Sequence, residues 1–181
     1  MKVRLCTLLL ALAALPALAK TPAQNTAQPA ARPAVGFGAE FQVQLADVED
    51  KIIALAEATP ADKFAWRPAG DIRSISEVYM HIAGGNYFLS TFLGAAAPPH
   101  AGDIEKKITR KADVIAELRR SFDHLRNAVN RAPDLDKQVK MFGSSTSNRG
   151  VMMTALNHLH EHLGQSIAYA RMNAVVPPWS H

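Results

Sequence analysis

The chain contains 181 residues, carries a formal net charge of +4 and has a single cysteine, Cys6. Its first nineteen residues combine Lys2 and Arg4 with an apolar run and end in Ala17-Leu18-Ala19, a pattern that predicts a cleaved signal peptide, residues 1–19. Cleavage would remove both charges and the cysteine, which leaves a charge of +2 and no thiol. The mature chain would therefore lack disulfides and cysteine ligands, and it gives no electrostatic reason to expect a nucleic-acid partner.

The segments on either side of the predicted cleavage site indicate where the protein is found. The apolar run at 8–18 is too short to span a bilayer comfortably, so we expect an exported protein, periplasmic or secreted, with no stable membrane anchor; a retained anchor is the alternative. Residues 20–36 are rich in proline, alanine and small polar side chains, which predicts a flexible linker. The remaining residues, 37–181, suit one folded domain.

Helical periodicity of apolar side chains follows in four segments of about twenty residues, at about 39–58, 74–93, 112–131 and 149–173. The second begins at Ser74, and Glu77 three residues later is typical of a capping box. We find no convincing strand, because the weak alternation at 138–142 is short and isolated. Four such helices predict an all-α four-helix bundle, and two long connections leave its wiring open.

Three histidines have the spacing of a metal site. His158 and His162 are four residues apart and share one face of the fourth helix. His81, on the second helix, can supply a third imidazole from a facing helix and leave open positions for water or substrate. The alternative is that all three are ordinary polar residues beside the core, because a lone H-x-x-x-H pair is a weak signal.

Further residues on the same helices are candidates for the pocket. Gln165 lies one turn beyond His162, where it could orient a bound water or substrate or bond a backbone group. Asn86 and Tyr87 follow His81 and are considered as pocket residues. The pair Gly84-Gly85 costs helical stability, which indicates either close approach of a neighbouring helix or room beside His81; both explanations stay open.

The other histidines are not expected to bind metal: His160 faces away from the pair, His124 lies among charged residues and should be solvated, His100 is in a loop, and His181 is the last residue. A zincin site needs glutamate directly after the first histidine. Here Leu159 holds that position. Glu161 precedes His162 instead, and we expect it to make a surface ion pair.

Taken together, several short sequence motifs make the chain resemble the DinB/YfiT-like metalloenzyme family over about Phe41 to Trp179. These motifs are Trp66-Arg67-Pro68-Ala69, Arg73 through His81-Ile82-Ala83, Asn157-His158 through Gln165, Tyr169 through Asn173, and Val176 through Trp179. The resemblance implies up-down-down-up wiring, homodimers, and a divalent metal, zinc or nickel among others, on His81, His158 and His162. It also implies metal-dependent transferases or isomerases that use a low-molecular-weight thiol such as bacillithiol or mycothiol.

The resulting hypothesis is a metal-dependent enzyme that acts on an unknown small molecule, as a hydrolase or as a thiol-dependent transferase. Export into an oxidising compartment argues against the thiol chemistry. The alternative is an exported, non-catalytic metal-binding or dimeric structural module. Nitrogen ligation suits zinc, nickel, iron and copper alike, and no catalytic residue is assigned.

Overall fold

The computed structural model describes residues 36–180. The predicted signal peptide with Cys6, the predicted linker up to residue 35, and His181 therefore lie outside the described residues. Within 36–180 the elements are α1 (Phe37–Ala58), α2 (Ile75–Phe92), α3 (Ile104–Lys107), α4 (Lys111–Asn130), β1 (Gln138–Met141), β2 (Ser144–Ser147) and α5 (Asn148–Met172). The four long helices fall within about two residues of the predicted segments, so the prediction of an all-α bundle is confirmed.

Side-chain caps fix the starts of the two helices that matter most for the site. At the start of α2, the Glu77 N–H donates to Ser74 Oγ (3.3 Å), and the Ser74 N–H donates to Glu77 Oε2 (2.7 Å). This is the predicted capping box. At the start of α5, Ser147 Oγ accepts from the Gly150 N–H (3.2 Å). Both caps satisfy backbone donors that a helix leaves unpaired at its first turn.

A β-hairpin precedes α5, so the expectation that the chain has no strand was wrong. β1 and β2 pair antiparallel, with Gln138 opposite Ser147. Phe142 and Gly143 form the turn, and both have positive φ angles, 51° and 81°. Four-residue strands are too short for an alternation pattern to distinguish them from a loop.

Contacts along the helices give their directions. Near the start of α1, Gln42 Nε2 donates to Asn130 Oδ1 at the end of α4 (2.9 Å). Near the end of α1, Glu57 Oε1 accepts from Arg119 Nη2 in the first half of α4 (2.6 Å). These two contacts make α1 and α4 antiparallel.

The direction of α5 follows in the same way. Phe37 at the start of α1 lies under the guanidinium of Arg149 at the start of α5, so α1 and α5 run parallel. Gly85, towards the end of α2, lies against His158 in the first half of α5, whereas Val78 near the start of α2 lines a small pocket with residues from the end of α5. The four long helices therefore run up, down, down and up, as the family resemblance implied.

The core lies between the four long helices. Buried apolar side chains from every one of them form a single large cluster, with Phe41, Leu45 and Ile52 from α1, Met80 and Ile82 from α2, Leu118, Phe122 and Leu125 from α4, and Val151, Met152 and Leu159 from α5. Burial of each such side chain contributes roughly 1.5–3 kcal/mol. Among residues 36–180, no helix combines the length and apolar character needed to cross a membrane.

Candidate metal centre

The three predicted histidines meet between α2 and α5. One potential ligand atom from each of His81, His158 and His162 lies within 4.8 Å of the other two. The ring centroids are 5.2 Å apart for His81 and His158, 4.7 Å for His81 and His162, and 4.6 Å for His158 and His162. Among residues 36–180, these are the only three potential ligands found so close together. All three side chains are partly buried.

A carboxylate holds the ring of His81. His81 Nδ1–H donates to Glu105 Oε1 (2.8 Å), and Glu105 Oε2 accepts from Arg73 Nε (2.9 Å). Burial raises the pKa of Glu105, but the hydrogen bonds from Arg73 and His81 outweigh burial and hold that pKa below its ordinary value. The ionised carboxylate fixes the tautomer of His81 and leaves Nε2 free, the usual arrangement behind a metal-binding imidazole.

Sequence reasoning missed Glu105 and the role of Arg73. Glu105 belongs to α3, a four-residue helix inside the long connection between α2 and α4. So short a helix shows no apolar periodicity, and the sequence has no motif that links position 105 to His81. An acidic residue in a long loop next to a predicted histidine site is the one available signal, and it is shared by many surface loops.

An amide holds the ring of His162. His162 Nδ1–H donates to Gln165 Oε1 (2.8 Å), and Gln165 Nε2 donates to the Tyr169 hydroxyl (3.1 Å). The Tyr169 ring in turn makes an edge-on contact with Trp66, with centroids 5.4 Å apart. Gln165 therefore lies beside the triad and orients a histidine, a partner that its spacing alone did not indicate.

The third ring, His158, has a buried nitrogen without a partner. Its Nδ1 makes no hydrogen bond within the protein. Burial, together with the nearby His162, His81 and Arg73, lowers the pKa of His158 to about 4. Burial also lowers the pKa of His162, although the hydrogen bond to Gln165 opposes this. His158 and His162 are therefore neutral at pH 7 and offer lone pairs.

These features fit a divalent transition metal. Three imidazole nitrogens suit zinc, nickel, copper and iron, and neutral ligands leave the ion its full double charge. Hydrogen bonds fix two of the rings, and a buried nitrogen that lacks a partner is the kind of group that an ion satisfies. The ligand atoms of the three histidines are close enough together to hold a metal ion.

One cavity is lined by two histidines of the triad, and a second is lined by the hydrogen-bond partners of the histidines. The first, of about 410 Å³, is lined by His81 and His158 together with apolar side chains. The second, of about 680 Å³, is polar and is lined by Gln165, Arg67 and Arg73 among others. Glu105 lines both. Small molecules can therefore reach the histidines from solvent.

Asn86 and Tyr87, which we considered as pocket residues, lie at a different interface. Both are buried against α4, where the Tyr87 hydroxyl donates to Glu117 Oε1 (2.6 Å) and Asn86 Nδ2 donates to Ser121 Oγ (3.1 Å). Five and six residues beyond His81 correspond to rotations of about 140° and 240° around the helix, so these side chains leave the face that meets α5.

Two of the remaining histidines are where they were expected, and one is not. His160 is exposed, and its Nδ1–H donates to the Leu156 carbonyl (2.9 Å). His100 Nε2 bonds to Glu117 Oε1 (2.9 Å), away from the triad. The expectation that His124 is solvated was wrong: its ring packs edge-on against Tyr87, and its Nε2 is buried. Asp123 and Arg126, the nearest charged residues in the sequence, lie about 100° and 200° around α4 from His124.

Glu161 is exposed, in keeping with a surface position. Among the ion pairs of residues 36–180, none includes this side chain, so the expected surface ion pair is not formed. A carboxylate surrounded by solvent has little to gain from pairing.

A four-helix bundle with three inward histidines on two facing helices defines a class of helical proteins with a candidate metal centre. The chain belongs to the DinB superfamily, whose family model matches residues 44–166. No curated protein matches the chain significantly.

Solved structures share the fold. A DinB-like protein from Bacillus cereus ATCC 10987 aligns with a TM-score of 0.69 and 16% identity, over 78% of this chain and 95% of its own. A DinB-like protein from Bacillus subtilis aligns with a TM-score of 0.62 and 17% identity, over 76% of this chain and 93% of its own. At such low identity the likeness extends to the fold alone.

Proposed function

We propose that the protein is a metal-dependent enzyme acting on a small molecule. The observation that carries this proposal is the triad itself: three histidine ligand atoms within 4.8 Å of one another, next to a cavity of about 410 Å³. A divalent metal held there would lower the pKa of a bound water and polarise an oxygen or sulfur ligand, which supports hydrolysis or thiol transfer.

The chain's own residues have distinct parts in this proposal. His81, His158 and His162 would hold the ion, with zinc or nickel as the first candidates and iron or copper also compatible. Glu105 and Gln165 keep two of the imidazoles in the required orientation. The adjoining cavities would bind the substrate.

The alternative is a non-catalytic metal-binding or dimeric structural module. One observation favours it: Glu105, the carboxylate at the site, already bonds both His81 and Arg73, so its capacity to act as a base is reduced. Against it, a structural metal site is normally closed by a fourth protein ligand, whereas two rings of this triad line a cavity of about 410 Å³. This cavity leads us to prefer the enzyme.

Export and dimerisation are part of the proposal. Residues 1–19 support export, since they read as a signal peptide. The resemblance to DinB/YfiT-like proteins supports a homodimer. Cell fractionation with N-terminal sequencing of the mature chain tests the first, and light scattering coupled to size exclusion tests the second.

Metal analysis combined with activity screening tests the central proposal. Protein purified without a histidine tag should contain close to one divalent ion per chain. The loaded protein should turn over at least one member of a panel of esters, amides, lactones and thiol-transfer substrates, and the metal-free protein should be inactive. One tightly bound ion that cannot exchange, together with no turnover across the panel, would instead support the structural module.

A further inference from the structure

We infer that the cavity beside the triad receives an apolar group, so that the ligand is a small molecule in which a metal-binding donor atom is joined to an aromatic or branched aliphatic group. This inference rests on the proposed metal-dependent function, which it extends to a class of substrate. Its basis is the apolar part of the cavity lining, which lies beside His81 and His158.

The cavity has the size and lining of a small-molecule pocket. His81 and His158 line it together with Phe88, Leu89 and Phe142. Its volume of about 410 Å³ lies within the range of roughly 300–1,000 Å³ that is typical of ligand sites. Because an apolar cavity of about 150 Å³ already binds benzene, this one has room for a ring and a connecting chain.

Three phenylalanines form one aromatic cluster beside the cavity. Phe88 and Phe92 are in edge-on contact at 5.2 Å between centroids, and Phe142 lies 5.9 Å from Phe88 and 6.0 Å from Phe92. Phe88 is 49% exposed and Phe142 is 70% exposed. Clustered apolar side chains that stay exposed to water mark interaction sites, and the cavity that Phe88 and Phe142 line favours a ligand-binding groove.

The backbone conformation at Phe142 also supports an apolar ligand in the cavity. Its φ of 51° is unusual for a bulky residue, and the two-residue turn that it forms favours asparagine or glycine at that position. Phenylalanine is therefore not explained by the turn. A ring that served only to fix the hairpin to α2 would be buried, whereas most of this ring remains accessible. The exposed ring is available to a ligand in the cavity.

Matched hydroxamates test the inference. Zinc-loaded full-length protein is titrated calorimetrically with acetohydroxamate and with 4-phenylbutanohydroxamate, which share a metal-binding head and differ in the apolar group. We expect the phenyl compound to bind at least about tenfold more tightly. The Phe142→Asn variant keeps a residue that suits the turn, and Phe88→Gln keeps the helix; each should reduce that ratio at least threefold.

The control variant is Val43→Gln, which changes an exposed apolar side chain on α1 outside the cavity and should leave the ratio unchanged. Equal affinity of the two hydroxamates for the wild type, or a ratio that neither phenylalanine variant reduces, overturns the inference. Acetohydroxamate binding that requires zinc shows that the proposed metal site still holds in that case. If the protein takes up none of zinc, nickel, iron and copper, the proposed function fails and the inference fails with it.

Discussion

The imidazole of His158 lies directly against the backbone of Gly85. A Cβ atom at position 85 would lie 2.8 Å from His158 Nδ1, closer than real side chains approach. The neighbouring Gly84 is different, since a Cβ there would meet only Ile104 Cδ1 at an ordinary 3.8 Å. Of the two explanations for this glycine pair, close approach of a neighbouring helix accounts for Gly85, and the group that approaches is His158 of α5 and not His81.

The glycine pair provides a matched test. Gly85→Ala should displace the His158 ring and lower zinc affinity at least about tenfold, because outer contacts that orient a ligand are commonly worth 10–100-fold. Gly84→Ala should leave affinity unchanged and raise helix stability by up to about 1 kcal/mol. Competition titration with a chromogenic chelator measures both affinities. Equal zinc affinity of the two variants would show that the close approach at Gly85 has no bearing on the site.

The histidines themselves should divide into ligands and bystanders. Alanine at His81, His158 or His162 should abolish stoichiometric zinc, because two imidazoles hold an ion far more weakly than three. His160→Ala should leave zinc content unchanged, since this exposed side chain bonds only the Leu156 carbonyl. Elemental analysis after dialysis measures the zinc content of the triad variants and of His160→Ala. Full occupancy in a triad variant would remove that residue from the site.

Glu105 should strengthen zinc binding without being required for it. Glu105→Ala removes the acceptor for His81 Nδ1–H and should weaken zinc binding about 10–100-fold, whereas Glu105→Gln keeps an acceptor and should weaken it less. Glu161→Ala is the control, because that exposed carboxylate carries a charge near His162 but forms no hydrogen bond with a triad ring. Competition titration with the chromogenic chelator measures the zinc affinity of all three variants. A similar loss for Glu161→Ala would indicate a general effect of negative charge.

The metal-free protein should lose stability between about pH 6.5 and pH 4. The pKa of His158 is about 4 in the folded chain against an ordinary 6.5, so in this window the unfolded chain binds a proton that the folded chain does not. The free energy of unfolding therefore falls as pH is lowered through the window. Above the window, His158 is neutral in both the folded and the unfolded chain, so it adds no pH dependence to that free energy. His162, whose pKa is also lowered, acts in the same direction.

Urea unfolding in the presence of a chelator, repeated across pH 4–8, measures this dependence. His158→Gln should flatten the slope in the window, since the variant has no group there to protonate. His160→Gln, which changes an exposed histidine, should keep the wild-type slope. A wild-type slope that survives in His158→Gln would mean that burial of this ring does not cause it.

Sequence patterns predicted the helices well because each long helix combines a continuous apolar stripe with a clear boundary, such as the Ser74 capping box on α2. The triad was predictable for the same reason, since helical phase places residues four apart on one face. The hairpin was not, because its strands have four residues each and owe their pairing to a turn at Phe142-Gly143.

Features that depend on distant parts of the chain were beyond sequence reasoning. Glu105 reaches His81 because the connection between α2 and α4 folds back over the site, and neither residue indicates this by itself. His124 is shielded by Tyr87 from another helix, so its charged neighbours in the sequence were misleading. Tertiary contacts decide the environment of such residues, whereas periodicity decides only the face on which they lie.

X-ray absorption spectroscopy of the zinc-loaded protein tests the central claim most directly, because it reports the atoms bound to the ion. We expect a first coordination sphere with three imidazole nitrogens at about 2.0–2.1 Å and at least one further light atom from water, and at most two imidazoles around the substoichiometric zinc that His162→Ala retains. A sphere with fewer than three imidazoles, or one that is unchanged in His162→Ala, would contradict it.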